Sequence, residues 1–209
     1  MTRAVLFTRP PIPGLVKTRL IPALGAEDAA KLHLAMAEDT LGLLSGVPCT
    51  VALAGPLDHP WVATLRSRGH EVIAQVEGDL GAKMLAAMGP GPALALGTDA
   101  PTLPAAWIRE AAEHPGPLTI GPAFDGGYYL LAWESPLPSL LRDMPWSTEA
   151  VCAETELRAR AQAIEVRRLP FWYDVDTATD LALLRQHLRT LPPLTAPRTR
   201  AVLAALPPA

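Results

Sequence analysis

Short apolar runs alternate with amphipathic segments along most of the chain, and this alternation constrains the fold more than any other feature. The runs have the length of buried strands and are bounded by glycine, proline or polar residues. The predicted strands are residues 3–8, 48–54, 71–75, 92–96, 118–121, 128–133 and 165–169. The predicted helices are residues 26–45, 60–68, 104–113, 136–142 and 148–163, with two more that end near residues 89 and 190. Such alternation is typical of an α/β, Rossmann-like fold, a doubly wound and mainly parallel sheet with helices on both faces.

Length and composition indicate one domain with a short tail. The 209 residues are 49% hydrophobic and 19% charged, which suffices for a sizeable core. We predict a single domain over residues 1–190. Prolines recur after that point, so residues 191–209 are predicted to be a proline-rich surface tail around a short helix at 198–206.

Several classes of protein are disfavoured. The net charge of −3 argues against a nucleic-acid-binding protein. No segment is long and apolar enough to span a membrane, and no secretory signal is apparent, so a cytoplasmic protein is expected. The two cysteines and five histidines show no metal-ligand spacing, and each histidine is expected at the surface or at a helix end. Neither a dinucleotide-binding nor a P-loop glycine pattern occurs.

One aspartate follows the predicted strand at 92–96 directly. Pro101 has no N–H for a central strand, so the strand must end before it and Asp99 should lie just beyond its carboxyl end. A carboxylate held there suits a divalent cation that carries nucleotide phosphates. The alternative is an ordinary strand-ending turn.

Two cations follow the first predicted strand. The loop at 9–14 contains three prolines and a glycine, and Lys17 and Arg19 come after it with Thr18 between them. Arginine binds phosphate oxygens as a fork and lysine adds a point charge. The alternative is a solvated basic turn.

Three further aspartates could complete the site. Asp125 precedes two glycines, and its role in that turn is a sufficient explanation by itself. Asp174 and Asp176 flank Val175, which is expected to face the core and so to direct both carboxylates to the other side. Thr177 and Asp180 predict a capping box at the start of the last long helix. We favour Asp176 as the second metal ligand because the helix start fixes its backbone.

All of these charged groups fall in loops that follow predicted strands. One site explains their common location, and the chemistry it suggests is Mg²⁺- or Mn²⁺-assisted transfer at a nucleoside diphosphate or triphosphate. We predict Asp99, Asp125 and Lys17 as catalytic residues.

Five motifs, in this order, resemble one family of small GT-A-type nucleotide-diphospho-sugar transferases, which includes arsenosugar-biosynthesis-type glycosyltransferases. The motifs are FTRPPIPGLVKTRL at 7–20, GDLG at 78–81, GTDAP at 97–101, GPAFDGGYYL at 121–130 and DVDT at 174–177. The resemblance covers roughly residues 3–188.

The resemblance implies a GT-A fold with the nucleotide on the N-terminal half, Asp99 as the metal-binding aspartate and Gly81 near the base. Two departures stand out: Lys83 occupies a position usually held by arginine, and Asp99 lacks the second aspartate of a DxD pair. The nucleotide site expected on this basis comprises Thr8, Arg9, Lys17, Arg19, Gly81, Lys83, Thr98 and Asp99, and the metal site Asp99 and Asp176.

The expected function is metal-dependent glycosyl transfer from a nucleotide-diphospho-sugar to a small acceptor. The tyrosines at 128 and 129 favour it, because aromatic faces suit sugar or apolar acceptor surfaces. The loop at 17–20 also resembles that of guanylyltransferases of the phospholactate type, so one alternative is nucleotidyl transfer from an NTP to a small phosphorylated acid. A second alternative is a non-catalytic nucleotide-binding module. Fold alone does not separate these readings.

Overall fold

The computed structural model describes residues 1–206, which form a mixed seven-stranded sheet in the order β3-β2-β1-β4-β6-β5-β7. The strands are β1 (Arg3–Thr8), β2 (Cys49–Leu53), β3 (Glu71–Ala74), β4 (Ala93–Leu96), β5 (Leu118–Pro122), β6 (Tyr128–Trp133) and β7 (Val166–Arg168). The pairs among β1 to β4 and the β5–β7 pair are parallel, whereas β6 runs antiparallel to both β4 and β5. The predicted α/β class, with a mainly parallel sheet, is confirmed.

The connections are helical and pack on both faces of the sheet. The helices are α1 (Ile21–Leu24), α2 (Ala26–Leu43), α3 (Pro60–Ser67), α4 (Leu80–Met88), α5 (Ala105–Glu113), α6 (Pro138–Leu141), α7 (Val151–Ala161), α8 (Ala178–Thr190) and α9 (Pro197–Ala205). A short 3-10 helix at Thr18–Leu20 precedes α1. None of these helices has the length and hydrophobicity that crossing a bilayer requires.

Two apolar layers sandwich the sheet. Residues of α2, α3 and α5 form one with Leu6, Val51 and Leu94, and residues of α4, α6 and α7 form the other with Val5 and Ala95. Alternate side chains of a strand point to opposite faces, so the near-continuous apolar character of β1 and β4 follows from burial on both sides.

The strand order reverses between β1 and β4. From β1 the chain proceeds outward to β2 and β3, then returns to place β4 on the other side of β1. In open α/β sheets, the crevice outside the carboxyl ends of the strands at such a reversal is the common ligand site. The loops after β1 and β4, which carry Lys17 and Asp99, meet there.

Three local predictions are wrong. Ser147 does not cap a helix: its φ is 64°, and α7 begins at Val151 after a turn. The helix expected at 136–142 is only the single turn α6. His33 is not a surface residue, because it lies 6% exposed on the inner side of α2.

The segment after α8 contains α9, which packs on α2. A third apolar cluster joins Leu32 and Met36 of α2 to Leu203, Leu206 and side chains of α8. The expected short helix is therefore present at Pro197–Ala205. The domain boundary at residue 190 stays a prediction, and the last three residues of the predicted tail lie outside the described residues.

Candidate functional site

A cavity of about 650 Å³ opens at the carboxyl ends of the parallel strands. Residues that follow β1, β2, β3 and β4 line it, together with the loop that leads into α1 and the first turns of α4. Seven of the eight predicted nucleotide-binding residues lie on its wall, namely Thr8, Arg9, Lys17, Arg19, Lys83, Thr98 and Asp99. Asp176, the predicted second metal ligand, also lines it.

Lys17 forms the centre of the site. Its Nζ lies 2.6 Å from Asp99 Oδ1 and 2.9 Å from Asp176 Oδ1, and it donates to the carbonyl of Val175 at 2.7 Å. The ammonium has three N–H donors, and these three contacts satisfy all of them. The Lys17 side chain is 4% exposed, whereas each carboxylate is about 40% exposed. The three charged residues thus form a fixed bridge between the loops after β1 and β4 and the segment before α8.

The pKa values of this bridge follow from two opposing effects. Burial by itself would lower the pKa of Lys17, but the charges of Asp99 and Asp176 outweigh burial and raise it. Burial would raise the pKa of Asp99, but the charge and hydrogen bond of Lys17 lower it. Lys17 is therefore protonated and Asp99 ionised at neutral pH.

Three other cations on the cavity wall have no ion pair or side-chain hydrogen bond within residues 1–206. They are Arg9, Arg19 and Lys83. Arg9 and Arg19 are exposed, and Lys83 lies in the first turns of α4. Unpaired guanidinium and ammonium groups that converge on one cavity favour a ligand with phosphate groups.

Two polar lining residues, His33 and Gln75, were missed by sequence reasoning. The Nε2 of His33 lies 3.0 Å from the carbonyl of Arg9, and because a carbonyl only accepts, that nitrogen carries the proton. Burial lowers the pKa of His33, so the ring is neutral at pH 7. Gln75 follows β3 and donates through Nε2 to the carbonyl of Ala52 at 2.9 Å. Both residues hold strand ends in place, and neither belongs to a charged motif that would have identified it.

Gly81 does not line this cavity. It lies buried on α4, where an added Cβ would come within 2.8 Å of the Leu141 carbonyl and 3.0 Å of the Trp146 ring. Close packing of α4 against α6 therefore accounts for the glycine. Its predicted position near the base of a bound nucleotide is not supported by the geometry.

A second, smaller cavity of about 150 Å³ lies on the other side of the Lys17 bridge. Asp99 and Asp176 line both cavities, and Asp125 and Asp174 line only the small one. Val175 is fully buried, as predicted, and the carboxylates on either side of it face this cavity. The structure therefore brings together all four aspartates that the sequence singled out.

One carboxylate oxygen of Asp125 accepts a hydrogen bond, and the other has no partner among the described residues. Its Oδ1 accepts from the N–H of Gly127 at 2.9 Å, which is the predicted turn role. Gly126 has a φ of 88°, and an added Cβ would collide with the backbone of Glu149. Glycine is thus required at position 126, and Oδ2 of Asp125 makes no hydrogen bond among the described residues.

The four carboxylates influence one another. Burial, and then the charges of Asp99, Asp125 and Asp176, raise the pKa of Asp174 to about 8, and Lys17 opposes them only in part. Asp174 is consequently protonated at neutral pH in this arrangement. The site holds more negative charge than Lys17 compensates.

This donor set suits a hard divalent cation. Mg²⁺ and Mn²⁺ prefer oxygen ligands and commonly take one or two carboxylates together with phosphate and water oxygens. Asp99 and Asp176 already hold one cationic group, the ammonium of Lys17, between them. Within residues 1–206, no three Asp, Glu, His or Cys side chains converge as a preformed metal centre. The residues therefore fit a cation shared with a phosphate ligand, and metal binding stays a proposal.

The sequence profile of one bacterial family matches residues 36–148, more than half of the chain. That family is described as "Uncharacterized protein conserved in bacteria (DUF2064)". The chain belongs to this family.

A solved structure also resembles this chain over nearly its whole length. The crystal structure of a "putative nucleotide-diphospho-sugar transferase" from Desulfovibrio desulfuricans G20 is 30% identical in sequence to this chain, with a TM-score of 0.88. That alignment covers 98% of this chain and 95% of the other. Among curated proteins, no sequence matches.

More distant structures share the fold of this family member. The inositol-1-phosphate CTP transferase from T. maritima has a TM-score of 0.59 at 12% identity, covering 97% of this chain and 96% of that one. A cytidylyltransferase from Leptospira borgpetersenii has a TM-score of 0.60 at 13% identity, covering 98% and 94%. At these identities the similarity establishes the fold and not the activity.

Proposed function

We propose that this protein is a transferase that uses a nucleotide-diphospho-sugar donor to glycosylate a small hydroxyl acceptor. One observation carries the proposal: a cavity lined by unpaired cations and a cavity lined by carboxylates share Asp99 and Asp176, the two residues that Lys17 bridges. Group transfer from a phosphate-bearing donor to a nucleophile is accelerated when the two reactants are held side by side, and adjoining cavities provide such an arrangement.

The large cavity is the proposed donor site. Its volume of about 650 Å³ lies in the range of small-molecule sites. Arg9, Arg19 and Lys83 would bind the diphosphate, and Thr8 and Thr98 offer hydroxyl groups beside it. These cations stabilise the negative charge that develops on the departing nucleoside diphosphate.

Asp99 and Asp176 are the proposed ligands of Mg²⁺ or Mn²⁺, which when bound supplies charge neutralisation at the diphosphate. Lys17 holds the two carboxylates at a fixed separation through its 2.6 Å and 2.9 Å contacts. The N–H of Val175 also donates to the carbonyl of Asp99 at 2.9 Å, so the two ligand-bearing segments are joined through their backbones as well.

The small cavity is the proposed acceptor site. As the bond between the sugar carbon and the diphosphate oxygen breaks, the acceptor oxygen bonds to that carbon and its hydroxyl proton must leave. Asp125 is exposed and its Oδ2 is free, so we assign it the role of accepting that proton.

The named relative supports sugar transfer, whereas the alternative, nucleotidyl transfer, rests on the resemblance of the loop at 17–20 to that of guanylyltransferases. The 30% identical structure carries the name of a nucleotide-diphospho-sugar transferase and covers nearly the whole chain. The cytidylyltransferases share only the fold. The proposal of sugar transfer therefore rests on the residues that line the two cavities more than on the similar structures.

The test is to incubate the protein and Mn²⁺ with a panel of UDP-, GDP-, ADP- and dTDP-sugars and glycerol as acceptor, and in parallel with NTPs and a small phosphorylated acid, 2-phospholactate, as acceptor. Sugar transfer releases nucleoside diphosphate, and nucleotidyl transfer releases pyrophosphate. Asp99→Asn should abolish Mn²⁺-dependent nucleotide binding with the fold intact by circular dichroism. Pyrophosphate without nucleoside diphosphate, or unchanged Mn²⁺-dependent affinity in the variant, would contradict the proposal.

Arg19→Ala tests the donor cavity separately. Loss of one charge-assisted contact should weaken nucleoside diphosphate binding by about 1–3 kcal/mol. Arg66→Ala is the matched control, because Arg66 is also exposed and unpaired among the described residues but lies on α3, outside the cavity. Equal affinities of the two variants for the diphosphate would remove Arg19 from the site.

A further inference from the structure

We infer that the acceptor of this enzyme is an uncharged or positively charged hydroxyl compound, and that phosphorylated or carboxylated acceptors are excluded. The inference rests on the proposed function and concerns the specificity of the small cavity, which is lined on one side by carboxylates and contains no cationic side chain in its wall.

The charges on this wall are of one sign. Asp99, Asp125, Asp174 and Asp176 contribute carboxyl groups, and the remaining lining residues are apolar, glycine or tyrosine. Lys17 has all three N–H donors engaged by Asp99, Asp176 and the Val175 carbonyl, so it has none to offer a ligand on this side. An anionic acceptor would therefore lose its hydration without gaining a basic side chain as a partner, and repulsion from the carboxylates adds to that cost.

The basic side chains near the site do not line the small cavity. Arg9, Arg19 and Lys83 line the large cavity and not the small one. Arg168, which is near in sequence to the acceptor segment, donates through Nε to Glu156 at 2.8 Å and stacks on the Phe171 ring at 5.2 Å from its centroid. Protonation of Asp174 or binding of a divalent cation reduces the negative excess, but neither supplies a basic side chain to the acceptor. Like-charge exclusion of this kind sets specificity as effectively as attraction does.

Two exposed aromatic residues, Phe124 and Phe171, lie close in sequence to residues that line the small cavity. Phe124 and Phe171 are 70% and 47% exposed, and their rings stack with centroids 5.7 Å apart and 6° between planes. Their segments are tied by the hydrogen bond from Phe124 N–H to the Trp172 carbonyl at 3.0 Å. These segments are the ones that deliver Asp125 and Asp174 to the cavity. The two stacked rings form an exposed apolar surface on these segments, against which the body of an acceptor could pack.

The hydroxyl of Tyr128 favours an acceptor that can form a hydrogen bond. It lines the small cavity, and its hydroxyl is buried with no hydrogen-bond partner among residues 1–206. A buried hydroxyl without a partner costs free energy, and a hydroxyl-bearing acceptor would satisfy it. Neutral alcohols with a ring or apolar body therefore meet all three properties of the cavity.

The experiment compares three acceptors that share one diol and carry a neutral, an anionic or a cationic group at the third carbon: glycerol, glycerol 3-phosphate and 3-amino-1,2-propanediol. The donor is the nucleotide-diphospho-sugar consumed fastest in the panel above, and the glycoside product is measured by mass spectrometry. We expect kcat/KM for glycerol 3-phosphate to be at least tenfold below that for the other two. A value equal to or above that for glycerol would overturn the inference while leaving sugar transfer established.

A variant pair locates the effect. Gly97→Lys places a cation in the wall of the small cavity, where an added side chain meets open space, and should raise the ratio of kcat/KM for glycerol 3-phosphate to that for glycerol several-fold, even if both values fall. Gly42→Lys adds the same charge at an exposed residue of α2 that lines neither cavity and should leave the ratio unchanged. An unchanged ratio in Gly97→Lys would contradict the inference. Absence of nucleoside diphosphate release with every acceptor, together with absence of nucleotide binding, would instead overturn the proposed function itself.

The aromatic pair is tested with 3-phenoxy-1,2-propanediol. Phe124→Ala should raise KM for this compound several-fold and leave KM for glycerol unchanged. Leu194→Ala, which truncates another highly exposed apolar side chain, is the control. Equal effects of Phe124→Ala on the two acceptors would show that the pair does not contact the acceptor.

Discussion

Lys17 holds in place Asp99 and Asp176, the two residues that line both cavities. Its backbone has a φ of 46° and a ψ of 42°, the left-handed region that costs a non-glycine residue about 1 kcal/mol or more. The proline-rich loop before it and the 3-10 helix after it hold this conformation, which directs the side chain under Asp99 and Asp176. Backbone strain retained at a buried charged residue is typical of functional sites.

Replacement of Lys17 by methionine removes the only cation of the bridge and leaves two carboxylates near one another. We expect a stability loss of about 1–3 kcal/mol, below the range for a fully buried pair because both carboxylates keep access to water. If Asp99 and Asp176 are metal ligands, Mn²⁺ should recover part of the loss in a thermal melt, and Mg²⁺ should behave similarly.

Lys31→Met is the matched control for this measurement. Lys31 also pairs with an aspartate, Asp28, at 2.8 Å, but its side chain is 65% exposed. Exposed pairs contribute little to stability, so its melting temperature should barely change with or without Mn²⁺. Equal Mn²⁺ responses in the two variants would argue against a cation site at the bridge.

The element that completes the site is the junction between the 170–176 segment and α8. Thr177 Oγ1 accepts from the N–H of Asp180 at 3.3 Å, and Oδ2 of Asp180 accepts from the N–H groups of Thr177 and Asp176. This capping box satisfies backbone donors that the first turn of a helix leaves free. It therefore fixes the backbone of Asp176 as well as the start of the helix.

Thr177→Ala should cost about 1 kcal/mol, the usual value of a lost N-cap. For a chain of this length the melting temperature should fall by about 2–4 °C. Thr190→Ala alters a threonine at the other end of α8, where its hydroxyl donates to the His187 carbonyl, and should have a smaller effect. A larger loss at Thr190 than at Thr177 would contradict the assigned role of the cap.

At the scale of the whole molecule, α9 completes the third apolar cluster, which lies between α2, α8 and α9. Leu203 is 5% exposed within this cluster, and Asp39 of α2 accepts from the N–H groups of Arg198 and Thr199 at the first turn of α9. The side chain of Asp39 is 1% exposed, so these bonds replace the water that it loses. The segment after α8 is thus an integral part of the packing around α2.

Leu203→Ala should destabilise the protein by about 2–5 kcal/mol, the range for a leucine removed from a core. Leu194 is in the same C-terminal segment but is 86% exposed, so Leu194→Ala should have little effect on a denaturant midpoint. A small effect of both variants would mean that α9 contributes little to stability, as a surface tail would.

The sequence by itself determined the strands and their carboxyl ends. Strand boundaries agree with the structure to within one or two residues, because apolar runs and breaker residues are local properties. The capping box and the buried orientation of Val175 were predicted for the same reason. These local features also placed Lys17, Asp99, Asp125 and Asp176 in loops at one edge of the sheet.

Only the tertiary structure decided how those loops meet. Lys17 and Asp176 are 159 residues apart in sequence, and no periodicity predicts that an ammonium bridges two carboxylates across that separation. The insertion of β6 between β4 and β5, which brings Asp125 beside Asp99, depends on strand pairing that the sequence pattern leaves open. The burial of His33, the packing role of Gly81 and the docking of α9 on α2 likewise depend on neighbours distant along the chain, because only the assembled core determines which surface each side chain faces.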